Sequence, residues 1–159
     1  MSIERMLKVI DPLETYFLEL SADGEVCPKI ISSFFTSVEA KCTMYFLGSV
    51  LFDVQKRNLE LQRPGVSIID LSRIINSLMH QLHSRLKNEY YGQNTRILLD
   101  SLEPNAKQKM LDSFTAYIQN IVAYVNSYYN EHHDLCESVS VLGPTTKKVC
   151  CSNLHAFLF

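Results

Sequence analysis

Two short groups of histidine and cysteine have the residue types that bind transition metals. They are HHDLC at residues 132–136 and CCSNLH at residues 150–155. Imidazole nitrogens and thiolates in tetrahedral geometry suit zinc, so the two groups together could supply a ligand set. Their spacing matches no standard zinc finger. We therefore predict solvated loop residues here rather than a zinc site, and we assign no metal ligand.

Nucleophilic catalysis and nucleotide binding need spacings that this chain lacks. The sequence contains no Gly-x-Ser-x-Gly, no Cys-Gly and no glycine-rich phosphate loop. His80 and His83 are three residues apart and share a helix face, but no third ligand lies near them in the sequence, so we expect surface histidines. The sequence thus predicts no enzyme, no catalytic residue and no cofactor.

The aspartates are placed where helices begin or where helix surfaces meet water. A carboxylate at such a position accepts hydrogen bonds from unpaired backbone amides or is simply solvated. Metal-dependent phosphoryl chemistry instead needs several carboxylates that converge on one point, and no strand pattern brings them together. We therefore expect capping or solvation for Asp11, Asp53, Asp70, Asp100 and Asp112.

The best local site for an anion is the start of the last long helix. Lys107 and Lys109 lie near backbone amides that carry partial positive charge, and Arg96 could lie beside them. These three residues are the candidate phosphate contacts. Simple solvation of the three side chains is the alternative.

Composition and charge agree with a folded domain that has no general affinity for polyanions. The chain has 159 residues, of which 47% are hydrophobic and 20% charged, and its net charge is −2. A nucleic-acid role would therefore need a local basic patch. The five cysteines have no disulfide-framework spacing, which favours reduced thiols in the cytosol or nucleus.

Neither secretion nor membrane insertion is expected. Charged residues near the N-terminus interrupt the apolar run that a signal peptide needs. The run Ser113 to Asn130 is uncharged, but Gln119, Asn120 and Asn126 recur on a polar face, so we interpret it as an amphipathic helix.

Helix caps and apolar stripes dominate the rest of the chain. Asp11-Pro12 starts a short helix, Cys27-Pro28 starts a second, and Thr36 or Ser37 caps a long one that ends at Arg63-Pro64-Gly65. Ser67 and Asp70 form a capping box for another long helix, and Pro104 precedes the last. We predict an all-α protein, an irregular helical bundle of about three long and two or three short helices.

We expect a helical domain over residues 1–135, followed by a tail over residues 136–159 that is irregular or disordered. The apolar stripes of the three long helices have only each other to pack against. The predicted core is Phe46, Val50, Leu71, Ile75, Leu78, Leu82, Phe114, Ile118, Ile121 and Val125.

Two segments carry a resemblance to a known family. They are CPKIISSFFTSVEAKCTMYFLGSVLFDVQKRNLELQ at residues 27–62 and SIIDLSRIINSLMHQLHSRL at residues 67–86. Their order resembles the helical region inserted into the RNase H-like domain of hAT-family transposases and of host proteins derived from them. The resemblance runs from about Asp11 to Leu135, places no catalytic acid of the family on this chain, and implies a nuclear location.

The resemblance implies a non-catalytic fragment of a domesticated or decayed transposase. We expect a structural or protein-interaction module, with an accessory DNA-binding domain as the alternative and with no membrane or small-molecule partner. In the family this region packs beside a sheet, so the isolated region should expose apolar surface on its aromatic helix. The expected patch is Tyr45, Phe46, Leu47 and Phe52, which would bind a protein partner or a second copy.

Overall fold

Seven α-helices make up the computed structural model over the residues it describes, which are 3–22 and 28–140. Three helices are long, and the other four are shorter. In chain order the helices are α1 (Ile3–Lys8), α2 (Ile10–Ala22), α3 (Lys29–Thr36), α4 (Val38–Leu61), α5 (Ile68–Lys87), α6 (Gln93–Asp100) and α7 (Pro104–Ser140).

The prediction of an all-α fold with three long helices is confirmed. Four shorter helices are present rather than two or three, because the chain before Ala22 forms both α1 and α2. Helix α7 continues through Ser140, past the predicted boundary at Leu135. Residues 141–159 of the predicted tail lie outside the described residues, and the expected single domain over residues 1–135 stays a prediction.

Side-chain caps begin two of the long helices where the sequence places them. The backbone N–H of Ala40 donates to Ser37 Oγ at 3.1 Å at the start of α4. At the start of α5 the backbone N–H of Asp70 donates to Ser67 Oγ at 3.1 Å, and the backbone N–H of Ser67 donates back to the Asp70 carboxylate at 3.3 Å. The predicted capping box therefore forms with Asp at its third position.

Contacts between Cα atoms group the chain into two compact units. The first comprises Met1–Phe52 and Tyr90–Thr115, and the second comprises Asp53–Glu89 and Ala116–Phe159. The long helices α4 and α7 each contribute residues to both units.

Aromatic stacking forms the centre of the first unit. The rings of Phe46 on α4 and Phe114 on α7 stack with centroids 4.0 Å apart and planes 13° apart. Tyr91, just before α6, packs against both rings, and its hydroxyl hydrogen-bonds Thr115 Oγ1 at 2.7 Å. This contact fixes the chain entering α6 between the two long helices.

The second unit has an aliphatic core and polar ties around it. Its buried residues are Ile74, Leu78, Leu82 and Ile118. Arg85 Nη2 on α5 donates to Asp53 Oδ2 on α4 at 2.8 Å, and its Nε donates to the same oxygen at 3.0 Å. The hydroxyls of Ser72 and Tyr129 hydrogen-bond at 2.8 Å and join α5 to α7.

The predicted core is partly confirmed. The structure buries Phe46, Val50, Leu78, Leu82, Phe114 and Ile118. It leaves Leu71, Ile75, Ile121 and Val125 only half-buried. On α5 the fully buried row is Ile74, Leu78 and Leu82, a strict four-residue spacing that places Ile75 beside the row rather than in it.

Replacing Phe114 by alanine should lower the free energy of unfolding by about 3 to 5 kcal/mol, because it empties the middle of a buried aromatic stack. Phe52→Ala is the matched control, since Phe52 is 58% exposed, and it should cost less than about 1 kcal/mol. Urea melts of the two variants measure both values. Equal losses would mean that the stack does not hold the first unit together.

Candidate functional site

The three candidate phosphate contacts do not form one open cationic site. Lys107 Nζ donates to Asp100 Oδ1 at 2.7 Å. This hydrogen bond, with the positive charges of Lys107 and Arg96, lowers the pKa of Asp100 below its usual range. The carboxylate of Asp100 thus already binds Lys107 where an external phosphate would have to bind. Lys109 follows Lys107 by two residues and therefore projects from nearly the opposite side of α7.

The expected apolar patch on α4 needs correction, because one of its four residues is buried and two are only partly exposed. Phe46 is only 2% exposed, because it is stacked on Phe114 and packed against Tyr91. Tyr45 and Leu47 are half-buried. Phe52 alone among the four is exposed, at 58%. A helix that is apolar on nearly all sides therefore buries more of its surface than expected, since α6 and α7 both contribute to its surroundings in the first unit.

A buried polar cluster lies where α4 meets the start of α6. Cys42 is fully buried, and its thiol donates a weak hydrogen bond to the backbone oxygen of Thr95 at 3.6 Å. Burial, with a smaller contribution from the charge of Glu39, raises the pKa of Cys42 to about 11. The thiol is therefore protonated at neutral pH and is a poor nucleophile. Close packing accounts for this cluster, since a Cβ added at Gly92 would lie 3.0 Å from Ser49 Cβ.

No three or more His, Cys, Asp or Glu side chains are grouped to hold a metal ion in the described part of the chain. His80 and His83 are exposed on α5 as expected. His83 Nδ1 lies 2.8 Å from the backbone oxygen of Met79. Because a carbonyl only accepts, Nδ1 carries the proton of the neutral ring. The side chains of HHDLC and CCSNLH lie outside the described residues.

Among the helices that the structure describes, none has the combined length and apolarity needed to cross a membrane. The uncharged run Ser113 to Asn130 is instead part of α7, with Phe114 and Ile118 buried. The interpretation of this run as an amphipathic helix agrees with that burial.

The outer side of this run is an exposed surface without charge. Tyr117, Tyr124 and Tyr128 are 36%, 45% and 39% exposed, and Asn120 and Ser127 between them are also exposed. We call these five residues the tyrosine face; all of them belong to the second unit. Spacings of three, four and seven residues place them along one side of α7.

Two of these tyrosines are in mutual contact. The rings of Tyr124 and Tyr128 have centroids 4.9 Å apart and planes tilted by 57°. A hydrogen bond with Tyr128 is the main reason that the pKa of Tyr124 is raised above its usual value. Tyr129, the next residue, faces α5 and hydrogen-bonds Ser72. Neighbouring tyrosines therefore divide between the unit's interior and its surface.

Sequence reasoning missed this surface because it treated Gln119, Asn120 and Asn126 as an ordinary polar face. Two signals could have found it. From Ser113 to Asn130 the sequence has no Asp, Glu, Lys, Arg or His, whereas the outer side of a surface helix usually carries charge. The spacing of the three tyrosines, seven and then four residues, also keeps them on one side.

A second exposed surface, on α5, carries positive charge, unlike the uncharged tyrosine face. Arg73, His80, His83 and Lys87 are all exposed. Asp70, in the first turn of α5, is the sole acidic residue of this helix, and Arg73 Nη2 lies 3.5 Å from its carboxylate. We call these four residues the basic face of α5. Its positive charges are those of Arg73, near the start of the helix, and Lys87, at its end.

Comparison with known protein families, with curated proteins and with solved structures found no match to this chain.

Cys42 should resist alkylation in the folded protein at pH 8. Its folded pKa of about 11 lies above the usual thiol value, so the stability that this group contributes is present below that usual value and is lost as the pH rises through 11. The extent of Cys42 labelling by iodoacetamide is measured by mass spectrometry of the Cys42 peptide, with and without guanidinium. Rapid labelling of the native protein would show that the α4 and α6 contact opens readily.

Proposed function

We propose that this chain is a non-catalytic helical module that binds protein through the tyrosine face of α7. The observation that carries the proposal is the uncharged, tyrosine-bearing exposed side of that helix. The polar cluster at Cys42 and the pair of Lys107 with Asp100 supply no comparable surface, because the first is buried and in the second the lysine already binds a carboxylate.

Tyrosine and the absence of charge together favour a protein partner. The buried centres of protein interfaces are depleted of charged residues and enriched in tyrosine. A tyrosine ring supplies apolar area while its hydroxyl can hydrogen-bond across the contact. Exposed apolar area that is concentrated on one side of a helix is also more informative than scattered apolar residues.

We further propose that the module derives from an hAT-family transposase, as a domesticated or decayed fragment that acts in the nucleus. The two segments quoted from residues 27–62 and 67–86 support this origin. Sequencing the transcript on both sides of the codons for these 159 residues tests the proposed origin. In-frame codons for strands that carry acidic residues would favour the origin, and unrelated flanking codons would count against it.

Tyr124→Glu should weaken partner binding, because it places a charge in the middle of the tyrosine face. Tyr16→Glu is the matched control, since Tyr16 is a helical tyrosine of α2 that is 56% exposed. A protein retained from cell extract by the wild type should be purified and titrated against all three forms. We expect at least a tenfold loss of affinity for Tyr124→Glu alone, about 1.4 kcal/mol. Equal binding by all three forms would refute the proposal.

Accessory DNA binding is a second candidate, favoured by the basic face of α5. If it is correct, Arg73→Ala with Lys87→Ala should weaken binding to mixed-sequence duplex. The slope of log affinity against log salt should then fall by about 2. Arg96→Ala with Lys109→Ala tests the contacts expected at the helix starts in the same gel shift. Wild-type affinity that does not change with salt would exclude phosphate binding by either surface.

A further inference from the structure

From the spacing along α7, we infer that the tyrosine face pairs with the same face of a second copy of this chain, with the two helices antiparallel. This inference rests on the proposed function and names its partner. Tyr117, Asn120, Tyr124 and Ser127 follow one another by three, four and three residues. That is the spacing of the a and d positions of a heptad, along which one helix packs against another.

Side-chain size selects the direction of pairing. One heptad position holds Tyr117 and Tyr124, and the other holds Asn120 and Ser127. In a parallel pair each position meets its own equivalent, so tyrosine would meet tyrosine and the small residues would meet each other. In an antiparallel pair an a position meets a d position, so every tyrosine meets a small residue.

One alignment of the two antiparallel helices places every tyrosine of the seam opposite a small residue. With the two-fold axis midway between Asn120 and Tyr124 along the helix, Tyr117 lies opposite Ser127 of the second copy, and Asn120 lies opposite Tyr124 of the second copy. The same patch is used by both copies, as a closed two-fold dimer requires. The amide of Asn120 both donates and accepts, as does the hydroxyl of Tyr124, so the two groups are able to hydrogen-bond each other across the pair. A polar residue on a helix seam also fixes the register.

Charge and area are both compatible with a second copy. Because Ser113 to Asn130 has no charged side chain, two identical faces do not repel each other. At about 200 Å² per tyrosine, the exposed fractions of 36%, 45% and 39% amount to roughly 240 Å² per copy. Exposed Ala116, Asn120, Ala123 and Ser127 widen the face, and the contact belongs with the small interfaces below about 1,200 Å² that associate weakly. A weak, reversible dimer is the expected result.

Sedimentation velocity of the full chain tests the association. The wild type and Tyr16→Glu should shift from monomer to dimer between about 1 and 100 μM, the range of a small interface. Tyr124→Glu and, independently, Asn120→Lys should stay monomeric at 100 μM while keeping the helical circular dichroism of the wild type. A wild type that is monomeric throughout, or dimers of both face variants, would overturn the inference.

Mixing Tyr124→Glu with Asn120→Lys tests whether the two helices pair in antiparallel orientation. In the antiparallel register Asn120→Lys on one copy lies opposite Tyr124→Glu on the other, so the mixture should recover the dimer that each variant loses alone. In a parallel pair the new charges would not meet, and no recovery would follow. A wild-type monomer that still binds another protein in a Tyr124-dependent way would reject the second copy but retain the proposed function. Loss of both behaviours would reject both.

Discussion

The stack of Phe46 on Phe114 is the contact on which the first unit depends. It joins α4 to α7, which are far apart in sequence, with ring centroids only 4.0 Å apart. Tyr91, two residues before α6, packs against both rings, so the same contact sets where α6 begins. Because aromatic rings combine large apolar area with preferred geometries, a stack of this kind holds three segments in one arrangement.

The position of α6 in turn explains the buried polar cluster near it. Gly92 approaches Ser49 of α4 so closely that a Cβ would lie 3.0 Å away, and its φ of 115° is one that glycine adopts without strain. Cys42 and Thr95 are then enclosed between the two helices. Chemically reactive residue types are thus present here because of packing, and burial keeps the thiol of Cys42 protonated.

Among the side chains that the structure describes in the second unit, most charges on α4 and α5 are paired. Arg85 binds Asp53 with two hydrogen bonds, and Arg57 binds both carboxylate oxygens of Glu60 at 3.0 Å. In the first pair two nitrogens donate to one oxygen, in the second one nitrogen donates to two oxygens, and such charge-assisted hydrogen bonds hold long side chains in place. The exposed side of α7 differs because it has tyrosine, asparagine and serine where α5 has arginine, histidine and lysine. That contrast is what makes the tyrosine face a candidate for protein contact.

The amino-acid sequence by itself determined the helical class, the three long helices and the capping box of Ser67, because these depend on local hydrogen bonds and on apolar periodicity. It also placed Leu78, Leu82 and Ile118 in the core. Tertiary structure decided which side of each helix is covered. Phe46 is buried rather than exposed because Phe114 lies against it, and Lys107 is neutralised because α6 brings Asp100 beside it. Periodicity identifies an apolar stripe, but only packed neighbours determine whether a residue at its edge contacts the core or the solvent.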